Sequence, residues 1–177
     1  MMPGCLVLVV GPSGAGKDTL IRLARAALAD DPRYVFPRRL VTRPPSADED
    51  NAEIDEAAFA AGHAAGRFTL SWRAHGLGYA LPAEAGVLAA RGHVVVCNVS
   101  RRVVAQARAA IPRVSVVEIT APAEILARRL EARGRAEDGD LAARLAREGQ
   151  VDADLSLVNV GAPQTAADRL IAHLRAC

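Results

Sequence analysis

A run of branched apolar residues, Cys5-Leu6-Val7-Leu8-Val9-Val10, breaks directly into Gly11-Pro12-Ser13-Gly14-Ala15-Gly16-Lys17-Asp18. The run has the length and composition of a strand buried on both faces. The glycine-rich segment matches the phosphate-loop pattern G-x-x-x-x-G-K-[ST] at every fixed position except the last. Leu20, Ile21, Leu23, Ala24 and Leu28 then share one face of a predicted helix over 17–29, which Asp30-Asp31-Pro32 stops. Strand, glycine loop and helix in this order set a cradle of backbone amides at the positive end of a helix dipole. A phosphate binds there, and a lysine in the loop reaches the group being transferred.

That lysine is the only one in the chain, beside 21 arginines and 37 alanines. A composition this biased replaces lysine wherever arginine serves, so Lys17 marks a place where a compact ammonium does what a planar guanidinium does not. Asp18 stands where the pattern has a hydroxyl for magnesium. Its carboxylate either holds the ion, directly or through water, or simply charges the first helical turn. Thr19 is the next candidate for the metal role.

The 177 residues suit one domain with a sizeable core. Further buried strands are predicted at 94–97, 114–119 and 155–160, and helices at 82–91, 101–110, 122–133, 141–148 and 163–175. Strands alternating with helices give an α/β fold of three layers around a parallel sheet. Two stretches break the alternation. Residues 37–81 carry Pro44-Pro45, an acidic run from Asp48 to Glu56 and most of the aromatics; 133–144 is polar, glycine-punctuated and arginine-rich. Both are expected to be insertions that close over the core, the second as a short lid. The acidic run is read first as a solvated face and second as a set of partners for sugar hydroxyls.

Twenty-two basic and 20 acidic residues leave a net charge of +2, so bulk charge points to neither nucleic acid nor membrane. Cys5, Cys97 and Cys177 lie far apart, with no C-x-x-C spacing, and a reducing cytoplasm is expected. No apolar run approaches the roughly 20 residues of a membrane span. The strand predicted at 94–97 runs into Asn98 rather than aspartate, which favours a small-molecule kinase over a motor or switch ATPase. His63, His75, His93 and His173 share no metal-binding spacing, and Trp72 is expected in the core.

The order of the phosphate loop, Arg39 and Arg43, Gly78-Tyr79, Arg129-Leu130 with Arg133-Gly134, Arg144-Leu145 and Asn159 resembles the layout of guanylate-kinase-like enzymes over nearly the whole chain. Within that group the chain is most similar to the ribose 1,5-bisphosphate phosphokinases. Gly16-Lys17-Asp18, the segment from Ser71-Trp72 to Tyr79, and Asn98 with Ser100-Arg101 carry this likeness. Asn51-Ala52-Glu53-Ile54 offers no aromatic to stack on guanine, and Gly78-Tyr79-Ala80 departs from the usual Tyr-Tyr-Gly of both groups.

The resemblance implies a P-loop NTPase fold and transfer of a phosphoryl group from ATP, with Mg²⁺, to the C1 phosphate of ribose 1,5-bisphosphate. Guanylate or another nucleoside monophosphate is the alternative acceptor, and a non-catalytic guanylate-kinase-like binding module is the alternative of another class. By the same resemblance Gly11, Pro12, Ser13, Gly14, Ala15, Gly16, Lys17, Asp18 and Thr19 bind ATP phosphates, with Asp18 the metal ligand, and Asn159 borders the adenine. Arg39, Arg43, Tyr79 and Arg101 hold the acceptor, Tyr79 alternatively serving to pack the core or lid. Lys17, Arg129, Arg133 and Arg144 neutralise the moving phosphoryl group. The partner is a phosphorylated sugar, with no nucleic acid or membrane, and the chain is a monomer or homodimer.

Overall fold

Strand β1 (Cys5–Val10) has every residue buried, and it is the axis of the molecule. The structure, a computed structural model, describes residues 3–47, 49–134 and 151–177. β1 pairs in parallel with β7 (Val94–Asn98) on one side and β8 (Val114–Thr120) on the other. β2 (Tyr34–Val35) and β9 (Leu155–Val158) complete a five-stranded, all-parallel sheet in the order β2-β7-β1-β8-β9.

The pleat divides the core into two. Cys5, Val7 and Val9 of β1, with Val94 and Val96 of β7 and Val117 and Ile119 of β8, face one cluster. They meet Leu20, Ile21 and Ala24 of α1 (Lys17–Ala27), Leu126 of α5 (Ala123–Arg133), and Leu170, Ile171 and Leu174 of α6 (Pro163–Ala176). Leu6, Leu8 and Val10 face the other way. There they pack on Ala85 and Ala89 of α3 (Ala83–Ala90), and on Val103, Val104 and Ala107 of a 3₁₀ turn (Arg101–Val103) that runs into α4 (Val104–Ala110). Alternation along a strand puts successive side chains on opposite faces, so an unbroken apolar run requires helices on both. The expected three-layer α/β architecture is observed.

Residues 37–81 form a second sheet. Its order is β4-β3-β6-β5, built from β3 (Arg39–Val41), β4 (Asn51–Glu53), β5 (Leu70–Ala74) and β6 (Leu77–Leu81). β5 and β6 are an antiparallel hairpin joined by His75-Gly76, whose φ values of 53° and 75° are the left-handed pair that a tight primed turn needs. α2 (Glu56–Ala64) is capped by Asp55, whose side chain accepts from the Ala58 amide at 3.1 Å. Leu70, Trp72 and Leu81 anchor this sheet in the second core, and Trp72 is buried there as expected.

The predicted strands and helices are found with shifts of one or two residues at their ends, the largest at α1 and β9. The helix expected over 101–110 begins as the 3₁₀ turn, where the Ser100 side chain accepts from the Arg102 amide. β2 was not expected: two residues carry no periodicity, and only their pairing with β7 makes them a strand. The helix expected over 141–148 lies outside the described residues. Among the described residues, no helix is long and apolar enough to cross a membrane.

Candidate active site

The phosphate loop leaves the carboxyl end of β1 and closes on Gly16, which caps α1 at φ 90° and ψ 23°. A Cβ at Gly16 would sit 2.4 Å from Asn159 Nδ2, so both the left-handed backbone and the space demand glycine. Asn159 is 3% exposed, and its Nδ2 donates to the Ala15 carbonyl at 2.8 Å. Arg129, from α5, donates to the Gly14 carbonyl and to the Asn159 carbonyl, both at 3.0 Å. Two residues distant in sequence thus fix the curvature of the loop through its outward-facing carbonyls. The Ala15 amide donates to the Pro12 carbonyl at 3.2 Å, closing the turn within the loop.

Lys17 Nζ donates to the carbonyls of Gly11 at 2.7 Å and Pro12 at 3.0 Å, bent back over the loop. Asp18 and Thr19 come next, in the first turn of α1. Asp18 Oδ1 accepts from Asn98 Nδ2 at 2.9 Å, joining the loop to the end of β7. The sequence departs from the usual pattern at both positions, with carboxylate in the loop and amide at the strand end. The pair is one exchange: a single carboxylate is retained at the junction, and its neighbour is neutral and donates to it.

A cavity of about 430 Å³ lies between this junction and the second sheet. Asp18, Arg22 and Arg25 of α1 line it, with Asn98 of β7, Arg39 and Asn51 of the second sheet, and Glu49 and Asp50 from the acidic run. Arg39 spans the gap. Its Nη1 lies 3.4 Å from the Asn98 carbonyl, and its Nε donates to Asn51 Oδ1 at 3.3 Å. Its guanidinium also sits 5.0 Å above the Tyr79 ring, which stacks on Trp72 with centroids 5.5 Å apart. Tyr79 therefore packs, and it packs in a way that steadies Arg39.

Glu49 is the hub. Its side chain is 11% exposed, and it pairs with Arg43 at 2.5 Å, Arg39 at 3.6 Å and Arg133, the last residue of α5, at 3.4 Å. Asn51 Nδ2 donates to it as well, at 2.7 Å. Asp50 holds a second pair: Arg25 and Arg38 each reach one of its oxygens at 2.8 Å. The Arg25 guanidinium, helped by Arg38, keeps the Asp50 carboxyl below the usual carboxylate range.

Of the site residues read from the sequence, Asp18 and Arg39 line this cavity, Arg43 and Arg133 are tied to its wall through Glu49, and Lys17 is folded onto the carbonyls of its own loop. Asn159 and Arg129 lie behind the loop rather than in the cavity wall. Arg101 is placed away from that wall too, paired with Glu118 of β8 at 3.0 Å. Arg144 lies outside the described residues. Sequence reasoning singled out neither Arg22 nor Arg25, and it read Glu49 and Asp50 only within the acidic run, first as a solvated face and second as partners for sugar hydroxyls, not as partners for arginines. The spacing of Asp18, Arg22 and Arg25, four and three residues apart on one helical face, was the available signal for the two arginines. No signal marked Glu49, because Arg133 is 84 residues away.

No protein-family model matches the chain. Ribose 1,5-bisphosphate phosphokinase PhnN of Methylobacterium radiotolerans is 82% identical over 176 residues, which are 99% of this chain and 100% of that protein. The protein of the same description from Rhodopseudomonas palustris is 51% identical over 173 residues, 98% of this chain and 89% of that one. Among solved structures, guanylate kinase from Anaplasma phagocytophilum aligns with a TM-score of 0.70 at 20% identity, covering 99% of this chain and 87% of that one. A gluconokinase from Sinorhizobium meliloti aligns at 0.56 and 15%, covering 99% and 94%. These two likenesses establish the P-loop kinase fold.

Proposed function

The chain belongs to the ribose 1,5-bisphosphate phosphokinase family, and we propose that it transfers the γ-phosphoryl group of ATP to the C1 phosphate of ribose 1,5-bisphosphate, giving 5-phosphoribosyl 1-diphosphate and ADP. The observation that carries this reading is the cavity shared by Asp18 of the phosphate loop and Arg39 of the second sheet. A carboxylate next to the phosphate loop and a guanidinium of the second sheet thereby face one open cavity, where donor and acceptor phosphates would meet.

An oxygen of the acceptor phosphate attacks the γ-phosphorus, and the bond to the oxygen bridging the β- and γ-phosphates breaks as ADP leaves. A phosphate monoester is already ionised near pH 7, its second pKa being about 6. No general base is needed, and catalysis reduces to positioning and neutralising charge. Gly11 to Thr19 hold the ATP phosphates, and Lys17 exchanges the carbonyls of Gly11 and Pro12 for the donor and transferred groups. Arg39 and Arg43 hold the reacting acceptor phosphate, with Tyr79 bracing Arg39. Glu49, already bonded to both and to Arg133, keeps these guanidiniums mutually close despite their repulsion. Arg133 and Arg144 neutralise the phosphoryl group in flight. Arg129 acts on the loop through Gly14 and Asn159.

Asp18 fits a magnesium ion. Its carboxylate is the hard oxygen donor that magnesium takes, together with substrate phosphates and waters. Asn98 occupies Oδ1 as a donor, which orients the group without competing for metal. When bound, the ion supplies further neutralisation of the donor phosphates.

Phosphorus NMR of the reaction mixture tests the assignment. A diphosphate on the ribose C1 carbon that grows with ADP supports it. A product phosphorylated elsewhere, or no pentose product at all, overturns it.

A further inference from the structure

Resting on that reading, we propose that Arg22, Arg25 and Arg38 form a second phosphate site, which takes the C5 phosphate of the acceptor, and that the Asp50 carboxylate stands in for that phosphate in the structure. The acceptor carries two phosphates, and two adjacent carboxylates of the cavity wall, Glu49 and Asp50, each gather arginines: Arg39, Arg43 and Arg133 on Glu49, Arg25 and Arg38 on Asp50, with Arg22 lining the same cavity.

Position assigns the clusters. Arg39 touches the Asn98 carbonyl, and Asn98 bonds Asp18, so the Glu49 cluster lies at the reacting end. The Asp50 cluster lies along α1. At 1.5 Å per helical residue, Arg22 is about 6 Å and Arg25 about 10 Å beyond Asp18 along the axis. In ribose 1,5-bisphosphate seven bonds separate the phosphorus atoms, a reach of at most about 8 Å at the roughly 1.2 Å per bond of an extended chain. A sugar with one phosphate beside Asp18 therefore brings its other one to the Arg22–Arg25 stretch.

Charge requires an exchange of partners. The cavity wall carries Arg22, Arg25 and Arg39 against Asp18, Glu49 and Asp50, a formal balance of zero. An acceptor with two phosphates, each of about −1.5 to −2 charge, is held only if guanidiniums leave their carboxylates for it. A phosphate offers more charge and a third oxygen, so it is the stronger partner for a planar fork. Arg25 and Asp50 are both partly exposed, at 39% and 42%, so the present pairing is a weak one to break. Arg22 lines the cavity with no carboxylate partner among the described residues. A nucleoside monophosphate, with a single phosphate, has nothing to place here, so the second site selects the acceptor.

The test compares wild type with Arg25→Met, Arg22→Met and Asp50→Asn, using ribose 1,5-bisphosphate and ribose 1-phosphate as acceptors and ribose 5-phosphate as inhibitor. Losing a charge-assisted contact should raise KM for the bisphosphate about 30-fold in Arg25→Met, with a smaller rise in Arg22→Met. Inhibition by ribose 5-phosphate weakens in step with it. The loss is confined to compounds bearing the C5 phosphate, so kcat/KM for ribose 1-phosphate moves less than about twofold. Asp50→Asn, which releases both arginines, lowers KM for the bisphosphate. Equal losses with both acceptors, unchanged inhibition by ribose 5-phosphate, or a raised KM in Asp50→Asn would show instead that the cluster only ties α1 to the second sheet. A wild-type enzyme that phosphorylates GMP and ignores the bisphosphate refutes the proposed function itself, an outcome distinct from each of these.

Discussion

Lys17 and Asp18 sit side by side and are asked to do different things. The ammonium donates to two carbonyls of its own loop, acceptors that phosphate oxygens can replace so that its N–H groups stay paired. Lys17→Ala should therefore reduce kcat by about a thousandfold or more, by analogy with other point charges on a transferring phosphoryl group, with the melting temperature nearly unchanged. Kinetics and thermal unfolding on one preparation check this, and unaltered turnover removes Lys17 from the mechanism. Asp18→Asn keeps the size of the side chain and a partner for Asn98 but loses the carboxylate. The magnesium concentration for half-maximal rate should rise about tenfold or more; an unchanged titration leaves Asp18 as a charge on the helix end. Both residues were legible in the sequence because the loop is a local pattern with a local cause. Glu49 was not, since an acidic run looks like a solvated face until Arg39, Arg43 and Arg133 are seen to converge on it. Arg129 and Asn159 were expected to meet the moving phosphoryl group and the adenine, and their observed contacts with the Gly14, Asn159 and Ala15 carbonyls were not legible, because a hydrogen bond to backbone leaves no trace in spacing.

The elements were easier to read than their contacts. β1, β7 and β8 declare themselves as apolar runs, and α1 and α6 as helices, because periodicity is set by which faces are buried. The second sheet hid for the opposite reason: its strands are three to five residues long, and their order depends on pairings that only the tertiary fold makes. α6 supplies a prediction at this scale. His173 Nε2 lies 2.7 Å from Ser115 Oγ of β8, and burial lowers the His173 pKa, opposed only in part by Asp154. Between that depressed value and the ordinary histidine value of about 6.5, the unfolded chain binds a proton that the folded chain refuses. Stability therefore rises with pH through this window and falls on acidification below about pH 6.5. His173→Gln should flatten the melting temperature between about pH 5 and 7; an undiminished slope would assign the dependence to other groups.

The molecule as a whole consists of two halves that each supply part of a charge pattern. The parallel sheet and α1 carry the phosphate loop, Asp18 and one arginine face. The second sheet, fastened through Leu70, Trp72 and Leu81, brings Arg39 and Arg43 across from it. In the proposed reading the choice of acceptor is set by how many phosphates that pattern holds, and the Asn51 to Ile54 segment has no aromatic residue to stack on guanine. The most direct measurement is a side-by-side assay of ADP release with ribose 1,5-bisphosphate and with GMP at matched concentrations. A kcat/KM at least about a hundredfold higher for the bisphosphate, the size expected when a site built for polar groups meets a ligand lacking them, is the predicted result. Equal or faster turnover of GMP would contradict it.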